Sequence, residues 1–357
     1  MLANLSLPVL LAVFAAAGGV IWWVGIKLSD TTDVLAHRLG LGDALGGTIL
    51  LAIATNLPEI AITASAAWRG DLGVAIGNIL GGIAIQTVVL VALDAFGTRG
   101  QRSLTYQAAS LSLVLEGVMV VAVLVVAIMG TRLPDDLVAA RLAPGGVLVA
   151  LLWVVGVWLV GRAGKGLPWY EGGTAPDGQT ESKGHSRAKK AQGDGGTTST
   201  AYAATVFALS TAATLVCGVV LEASGDVIAR QIGMTGVLFG ATVLAAASSL
   251  PKLSTGLASM KLGDSKLAVS DIFGGNAFLP VLFLLATLIS GKAALPQAQD
   301  SNVYLAGLGI LLTCIYLYGL IFRPKAKLLG MGVDSLVVLL SYALGVAGLF
   351  AVAHAKS

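Results

Sequence analysis

Apolar residues run along this 357-residue chain in long blocks separated by short polar stretches. A helix that crosses a bilayer needs about 20 mostly apolar residues. Ten segments qualify: roughly 6–28, 44–67, 72–95, 107–130, 144–162, 202–227, 234–259, 266–290, 302–322 and 334–354. Residues 163–201 interrupt the pattern and are rich in Gly, Ser, Thr and charge, the composition of a flexible linker. The pattern predicts an all-α membrane protein of ten transmembrane helices. It divides into a first unit at 1–162, a linker at 163–201 and a second unit at 202–357.

The two units are copies. Gly47–Gln86 aligns without a gap to Gly240–Leu279 at a constant offset of 193, with thirteen of the forty positions identical. Among these are Pro58/Pro251, Gly70/Gly263, Asp71/Asp264, Gly81/Gly274 and Gly82/Gly275. The offset holds upstream, where Asp33 matches Asp226 and Gly40 matches Gly233. Five spans per unit is an odd number, so the second copy enters the membrane from the opposite side. The prediction is two inverted five-helix repeats. Fifteen of the 22 Lys and Arg residues fall in the loops after spans 1, 3, 5, 7 and 9, six lie on the other side, and Lys252 lies inside a span. By the positive-inside rule, both termini are expected outside and the 163–201 loop in the cytoplasm of a bacterial-type plasma membrane.

Composition supports this reading: 56% of residues are hydrophobic, 11% are charged, and 46 are glycines, which let helices approach closely in lipid. The net charge of +3 sits in loops and does not point to nucleic acid. Cys217 and Cys314 lie in apolar runs about a hundred residues apart, without metal-like spacing, and read as core residues. The apolar N-terminus lacks a basic leader and reads as a first span rather than a signal peptide. Nothing in the sequence forms a Ser/His/Asp set, a phosphate loop or a metal cluster, so no enzyme is expected and no cofactor is implied. The expected partners are membrane lipid and a small ion or small-molecule substrate. No obligate protein partner is evident.

The candidate chemistry lies in the repeats. Each carries a proline in mid-span, which removes a backbone bond and frees a carbonyl. In a membrane, freed groups are tolerated where they face protein or a water-filled cavity. Thr55 and Asn56 precede Pro58, and Ser248 and Ser249 precede Pro251, placing side-chain oxygens beside those carbonyls. Such oxygen-rich cages suit hard cations such as Na⁺ and Ca²⁺. One residue after each proline stands an ionisable side chain, Glu59 in the first copy and Lys252 in the second. The next span contributes Asn78 and Gln86 in one copy, and Ser270, Asp271 and Asn276 in the other, around its Gly-Gly pair. We expect the four helices to converge on a mid-membrane site containing Glu59, Asp271 and Lys252, with Glu59 and Asp271 as the metal-ligand candidates. Read blandly, Glu59 and Lys252 make a structural ion pair and the Gly-Gly pairs serve packing. The repetition of the constellation favours function, because intramembrane charges are expensive. Glu116 is a further intramembrane acid, read as hydrogen-bonding a neighbouring helix while neutral, with a proton path as the alternative. Asp94, Glu222 and Asp226 are expected at span ends.

The segments GLGDALGGTILLAIATNLPEI and GNILGG resemble an alpha-repeat of the sodium/calcium exchanger family, within the calcium/cation antiporter superfamily. That family's repeats carry G-T-S-[LI]-P-E and then G-N-x-x-G-S-N-I-F-[ND]. The resemblance covers about 25–95 and 218–290. It implies ten helices and alternating access, with Na⁺ or H⁺ exchanged against Ca²⁺ or another cation. Carried over, the first-repeat acid is Glu59, the Thr-Ser pairs become Thr55/Asn56 and Ser248/Ser249, and the family Asn is Asn78 in one copy and Asp271 in the other. The second acid is replaced by Lys252, the Ser of G-S-N by Gly82 and Gly275, and the closing Asn and Asp ligands by Gln86 and Leu279.

These residues predict a secondary transporter, a cation antiporter with altered coupling, in which Lys252 takes the place of a coupling cation and pairs with Glu59 or Asp271. A buried lysine loses its proton more readily, so coupling to H⁺ follows as an expectation. Three alternatives stand beside it. One is a conventional Na⁺/Ca²⁺ exchanger. Another is a transporter of an anion or carboxylate-bearing organic molecule held by the lysine. The third is a non-transporting membrane sensor or scaffold locked by a Glu59–Lys252 pair.

Overall fold

The computed structural model describes residues 5–38, 47–98, 102–163, 168 and 199–354. Most of the 163–201 segment, Gly40 and the lead-in of span 2 lie outside these. Among the described residues, nine helical stretches are long and apolar enough to cross a membrane. The tenth span is Gly47–Thr55 with Leu57–Trp68, divided at Asn56. The protein is an all-α integral membrane protein of two inverted five-helix repeats.

In the first repeat, α1 is Leu7–Arg38, α2 Gly47–Thr55, α3 Leu57–Trp68, α4 Leu72–Gly97, α5 Leu104–Ala108, α6 Leu111–Gly130 and α7 Pro144–Ala163. In the second, α8 is Thr200–Gln231, α9 Gly236–Phe239, α10 Ala245–Ser248, α11 Leu250–Lys261, α12 Ser265–Phe278, α13 Leu282–Ser290, α14 Asp300–Phe322 and α15 Val333–His354. A π-helical turn, Gly240–Leu244, joins α9 to α10. A two-residue hairpin, Lys327–Leu328 with Met331–Gly332, precedes α15.

The 193-residue offset reappears in three dimensions. Leu7–Arg38 and Thr200–Gln231 differ by that number at both ends, as do Leu57–Trp68 and Leu250–Lys261. Asp71 and Asp264 cap α4 and α12, accepting from Val74 N and Leu267 N. Each follows a glycine with φ near +80°, Gly70 and Gly263, a conformation in which a Cβ would be strained. Duplicated sequence thus produces duplicated starts and stops.

Packing follows the same two-fold relation. The 32-residue α1 and α8, each about 48 Å long, run alongside one another. That exceeds a hydrocarbon core of about 30 Å, so they tilt or protrude. Gly25 of α1 seats against Pro251 of the other repeat, and its mate Gly218 of α8 seats against Pro58. α2 packs on α12, while the corresponding α9–α10 segment packs on α4. A Cβ on Gly81 would overlap the backbone of Ala241, so the helices meet backbone to backbone there.

The repeats also diverge. Span 4 is not one helix: it breaks at Ala109–Ser110, where Ser110 caps α6. Span 8 breaks at a 3₁₀ turn, Leu279–Val281, containing Pro280, whereas α4 continues unbroken through the matching Gln86. Two of the acids expected at span ends are buried in contacts between helices. Asp94 is fully buried and accepts from Leu104 N (2.8 Å), Gly332 N (2.6 Å) and Ser335 Oγ (2.7 Å), tying α4 to α5 and α15. Glu222, 2% exposed, pairs with Arg69 and accepts from Ser65 Oγ at 2.9 Å, tying α8 to α3. Lone buried carboxylates are costly, and these two are satisfied by donors that no along-chain spacing reveals. Cys217 and Cys314 are free thiols.

Candidate functional site

Both spans that carry the site are broken one residue before a Leu-Pro. Asn56 sits at φ −96°, ψ 10° and Ser249 at φ −82°, ψ −2°, the sparsely populated region between helix and strand, with Pro58 and Pro251 opening α3 and α11. Proline suits a first helical turn because its missing N–H would be unpaired there. The break is local to one residue in each span.

Lys252 lies at the first turn of α11 and is fully buried. Its Nζ donates to Thr55 Oγ1 at 2.9 Å and to the Asp271 backbone carbonyl at 3.0 Å, and lies 3.4 Å from Asp271 Oδ1. Thr55 Oγ1 lies 2.8 Å from Asp271 Oδ1, and Thr255 Oγ1 donates to Asp271 Oδ2 at 3.2 Å. The ammonium therefore crosses from α11 to α2 and α12. It does so over Gly275, where a Cβ would collide with Nζ and with the Asn56 amide.

Glu59, the two-fold mate of Lys252, is also fully buried. Its Oε1 accepts from Gln86 Nε2 at 2.9 Å, and Oε2 has no hydrogen-bond partner. Gln86 Nε2 also lies 3.1 Å from Asn56 Oδ1, and Asn56 Nδ2 donates to the Ala52 carbonyl at 2.5 Å. Of the two partners expected for Lys252, the ion pair forms with Asp271. No salt bridge joins Lys252 to Glu59 among the described residues.

The remaining candidates are buried but differ in aim. Asn78 is fully buried, with neither amide atom hydrogen-bonded. Asn276 Nδ2 donates to Thr87 Oγ1 at 3.0 Å and lies 3.4 Å from the Ile83 carbonyl, while its Oδ1 is unpartnered. The Ser248 and Ser249 hydroxyls both turn back on the Ala245 carbonyl, at 3.2 and 2.7 Å. Thr255 and Thr87 are members of this network that sequence reasoning missed. The signal for Thr255 was its position three residues after Lys252, on the same helix face. Leu279, where the family pattern has a ligand, is fully buried and packs toward Gly82. Among the described residues no three His, Cys, Asp or Glu side chains gather as a metal cluster.

Two inverted repeats, each breaking a helix at mid-span and presenting ionisable groups to the interior, define the architecture of a secondary transporter. The chain belongs to the sodium/calcium exchanger family: the model described as sodium/calcium exchanger protein matches residues 9–162 and 202–351. It is similar to the putative antiporter CaxA of Alkalimonas amylolytica, 27% identical over 283 residues covering 78% of this chain and 79% of that protein. It is also similar to the inner membrane protein YrbG of Escherichia coli (strain K12), 24% identical over 312 residues covering 87% and 88%. Among solved structures, the sodium-calcium exchanger NCX_Mj superposes with a TM-score of 0.60 at 15% identity, covering 94% of this chain and 98% of that one. At that identity the likeness is one of fold.

Proposed function

We propose that this protein is a cation antiporter in which Lys252 occupies, as a tethered ammonium, the place of one cation in the exchanger site. The observation that carries this reading is the fully buried Nζ, within 3.4 Å of Thr55, Asp271 Oδ1 and the Asp271 carbonyl. With Glu59, Asp271 and Lys252 all charged, the cluster has one net negative charge. A Ca²⁺ site normally offers two or more carboxylates. A Ca²⁺ about 4 Å from the ammonium would meet roughly 8 kcal/mol of repulsion at an effective dielectric near 20. The moving ion therefore sits at Glu59, with Gln86, Asn56 and Ser248 as its surroundings, and it carries a single charge, Na⁺ or H⁺. Coupling is proton-linked, through the cluster of Glu59, Asp271 and Lys252. The antiporter name of one relative agrees with this. The charge bias of the loops puts both termini outside and residues 163–201 in the cytoplasm as the linker between repeats 1–162 and 202–357.

Flux in proteoliposomes tests the reading, with wild type and Lys252→Glu side by side under imposed Na⁺ and pH gradients while ⁴⁵Ca²⁺ and internal pH are followed. Wild type should move protons or Na⁺ and be inert to Ca²⁺, and the variant should gain Ca²⁺ uptake. Wild-type Ca²⁺ uptake driven by Na⁺ would establish conventional Na⁺/Ca²⁺ exchange instead. Inertness of both forms to every cation would favour an anionic or organic substrate, or a non-transporting scaffold.

A further inference from the structure

Another buried carboxyl lies on the flank of the bundle, outside the central cluster. Glu116 stands five residues into α6 and is 7% exposed. Ser270 of α12 donates to its Oε1 at 3.0 Å, and Oε2 has no hydrogen-bond partner. This carboxyl is on the wall of a cavity of about 30 Å³, large enough to hold water. The rest of the lining is apolar apart from Ser270: Ala52 and Ile53 of α2, Met119, Phe278, and Trp153 with its neighbours on α7. Trp153 and Phe278 meet edge to face, ring centroids 5.5 Å apart, and close one side. Val157 and Val160 of α7 are half-buried, so the outer wall faces the lipid flank.

The cavity stands back to back with the central cluster. Ser270 and Gly274 line it one turn apart on α12, while the next residue in each case, Asp271 and Gly275, faces Lys252. The wall between them is a contact of small residues, with Ala52 Cβ 3.4 Å from where a Cβ on Gly274 would stand. The Ala52 carbonyl in turn holds the Asn56 amide of the central cluster.

We propose that Glu116 and Ser270 form a proton-binding site beside the central cluster, reached by water in the cavity between α2, α6, α7 and α12. The proposal rests on the proton-linked reading above. The chemistry selects the ligand. One carboxyl and one hydroxyl cannot supply the six or more oxygens a hydrated metal ion exchanges for, whereas a proton needs a single oxygen. An apolar pocket of this size admits water, which can carry a proton to the carboxyl, and excludes a hydrated ion. The charge that acts on Glu116 comes from Lys266, one turn before Ser270 on α12. The lining residues of α2 and α7 are uncharged and without titratable groups, and α14 presents Leu317 beside Glu116 at Gly117.

The test uses the full chain in liposomes and dicyclohexylcarbodiimide, an apolar reagent that adds to a protonated carboxyl to give a stable N-acylurea, mapped by mass spectrometry. Glu116 should label, and labelling should fall about tenfold per pH unit once the carboxyl ionises. A water-soluble carbodiimide should label it at least tenfold less. Absence of the adduct, or labelling indifferent to pH, overturns the proposal. Ser270→Ala keeps the carboxyl and removes its donor, and should move the pH midpoint of labelling. An unmoved midpoint counts against the pair as a unit. In flux assays Glu116→Gln should shift the pH profile of exchange by tenfold or more at its steep limb and leave Na⁺ dependence intact. An unchanged profile in a transporting protein overturns the side route while the antiporter reading stands. If wild type transports nothing yet Glu116 labels with pH dependence, the antiporter reading fails and the proton site stands.

Discussion

The Lys252–Asp271 pair allows a prediction worked directly from the structure. Removing one member of a buried ion pair typically costs about 3–5 kcal/mol, because the other charge is left without compensation. Lys252→Met preserves the length of an unbranched side chain and deletes the charge. Asp271 would then keep two neutral donors, Thr55 at 2.8 Å and Thr255 at 3.2 Å, so the cost should fall near the lower end, about 3 kcal/mol. Asp271→Asn leaves the ammonium with Thr55 and a backbone carbonyl but no carboxylate in contact, and should cost more, about 4–5 kcal/mol. The double variant removes both charges, so neither is left buried without compensation. It should therefore lie at least about 3 kcal/mol above the sum of the singles. Unfolding of the purified protein in dodecylmaltoside titrated with sodium dodecyl sulfate, followed by tryptophan fluorescence, measures all four forms. Additive singles, or a Lys252→Met variant as stable as wild type, would refute the pairing. The double variant also retains the net negative charge of the cluster at Glu59, which makes it an informative flux control.

Two further outcomes follow from the same geometry. Glu59→Gln removes the buried charge proposed to bind the moving ion and keeps an oxygen to accept from Gln86, so exchange should be lost while the thermal midpoint holds or rises. Flux and a melting curve on one preparation check both halves. Gly81→Ala places a methyl on the backbone of Ala241 and should destabilise by about 1–3 kcal/mol or more without touching a charged group, read as an earlier unfolding midpoint.

Much of the architecture was legible in the chain because a duplication preserves spacing. The 193-residue offset marked both proline-bearing spans, matched the Gly-Asp pairs that the structure shows to be turns and caps, and made Glu59 and Lys252 mates. The proline breaks were legible too, since a missing N–H acts within one helical turn. The partners were less so. Lys252 had two acids within plausible reach and took Asp271. Glu59 went to Gln86, a position where the sequence showed only a departure from the family pattern. Asp94, Glu222 and Glu116 each found donors on other helices, Ser335, Arg69 and Ser270, 241, 153 and 154 residues away.

Periodicity, composition and the repeat are properties of the chain taken in order. They were enough to determine the membrane environment, the helix count, the inversion of the halves and the short set of residues at the breaks. Which of those residues meet depends on crossing positions and on where a glycine leaves room for a neighbour. Gly275 opens the path along which the lysine reaches Asp271, and Gly274 thins the wall beside Glu116. Hydrogen bonds and ion pairs act over about 3–4 Å, far below what sequence separation resolves between helices, so the tertiary structure alone decided them.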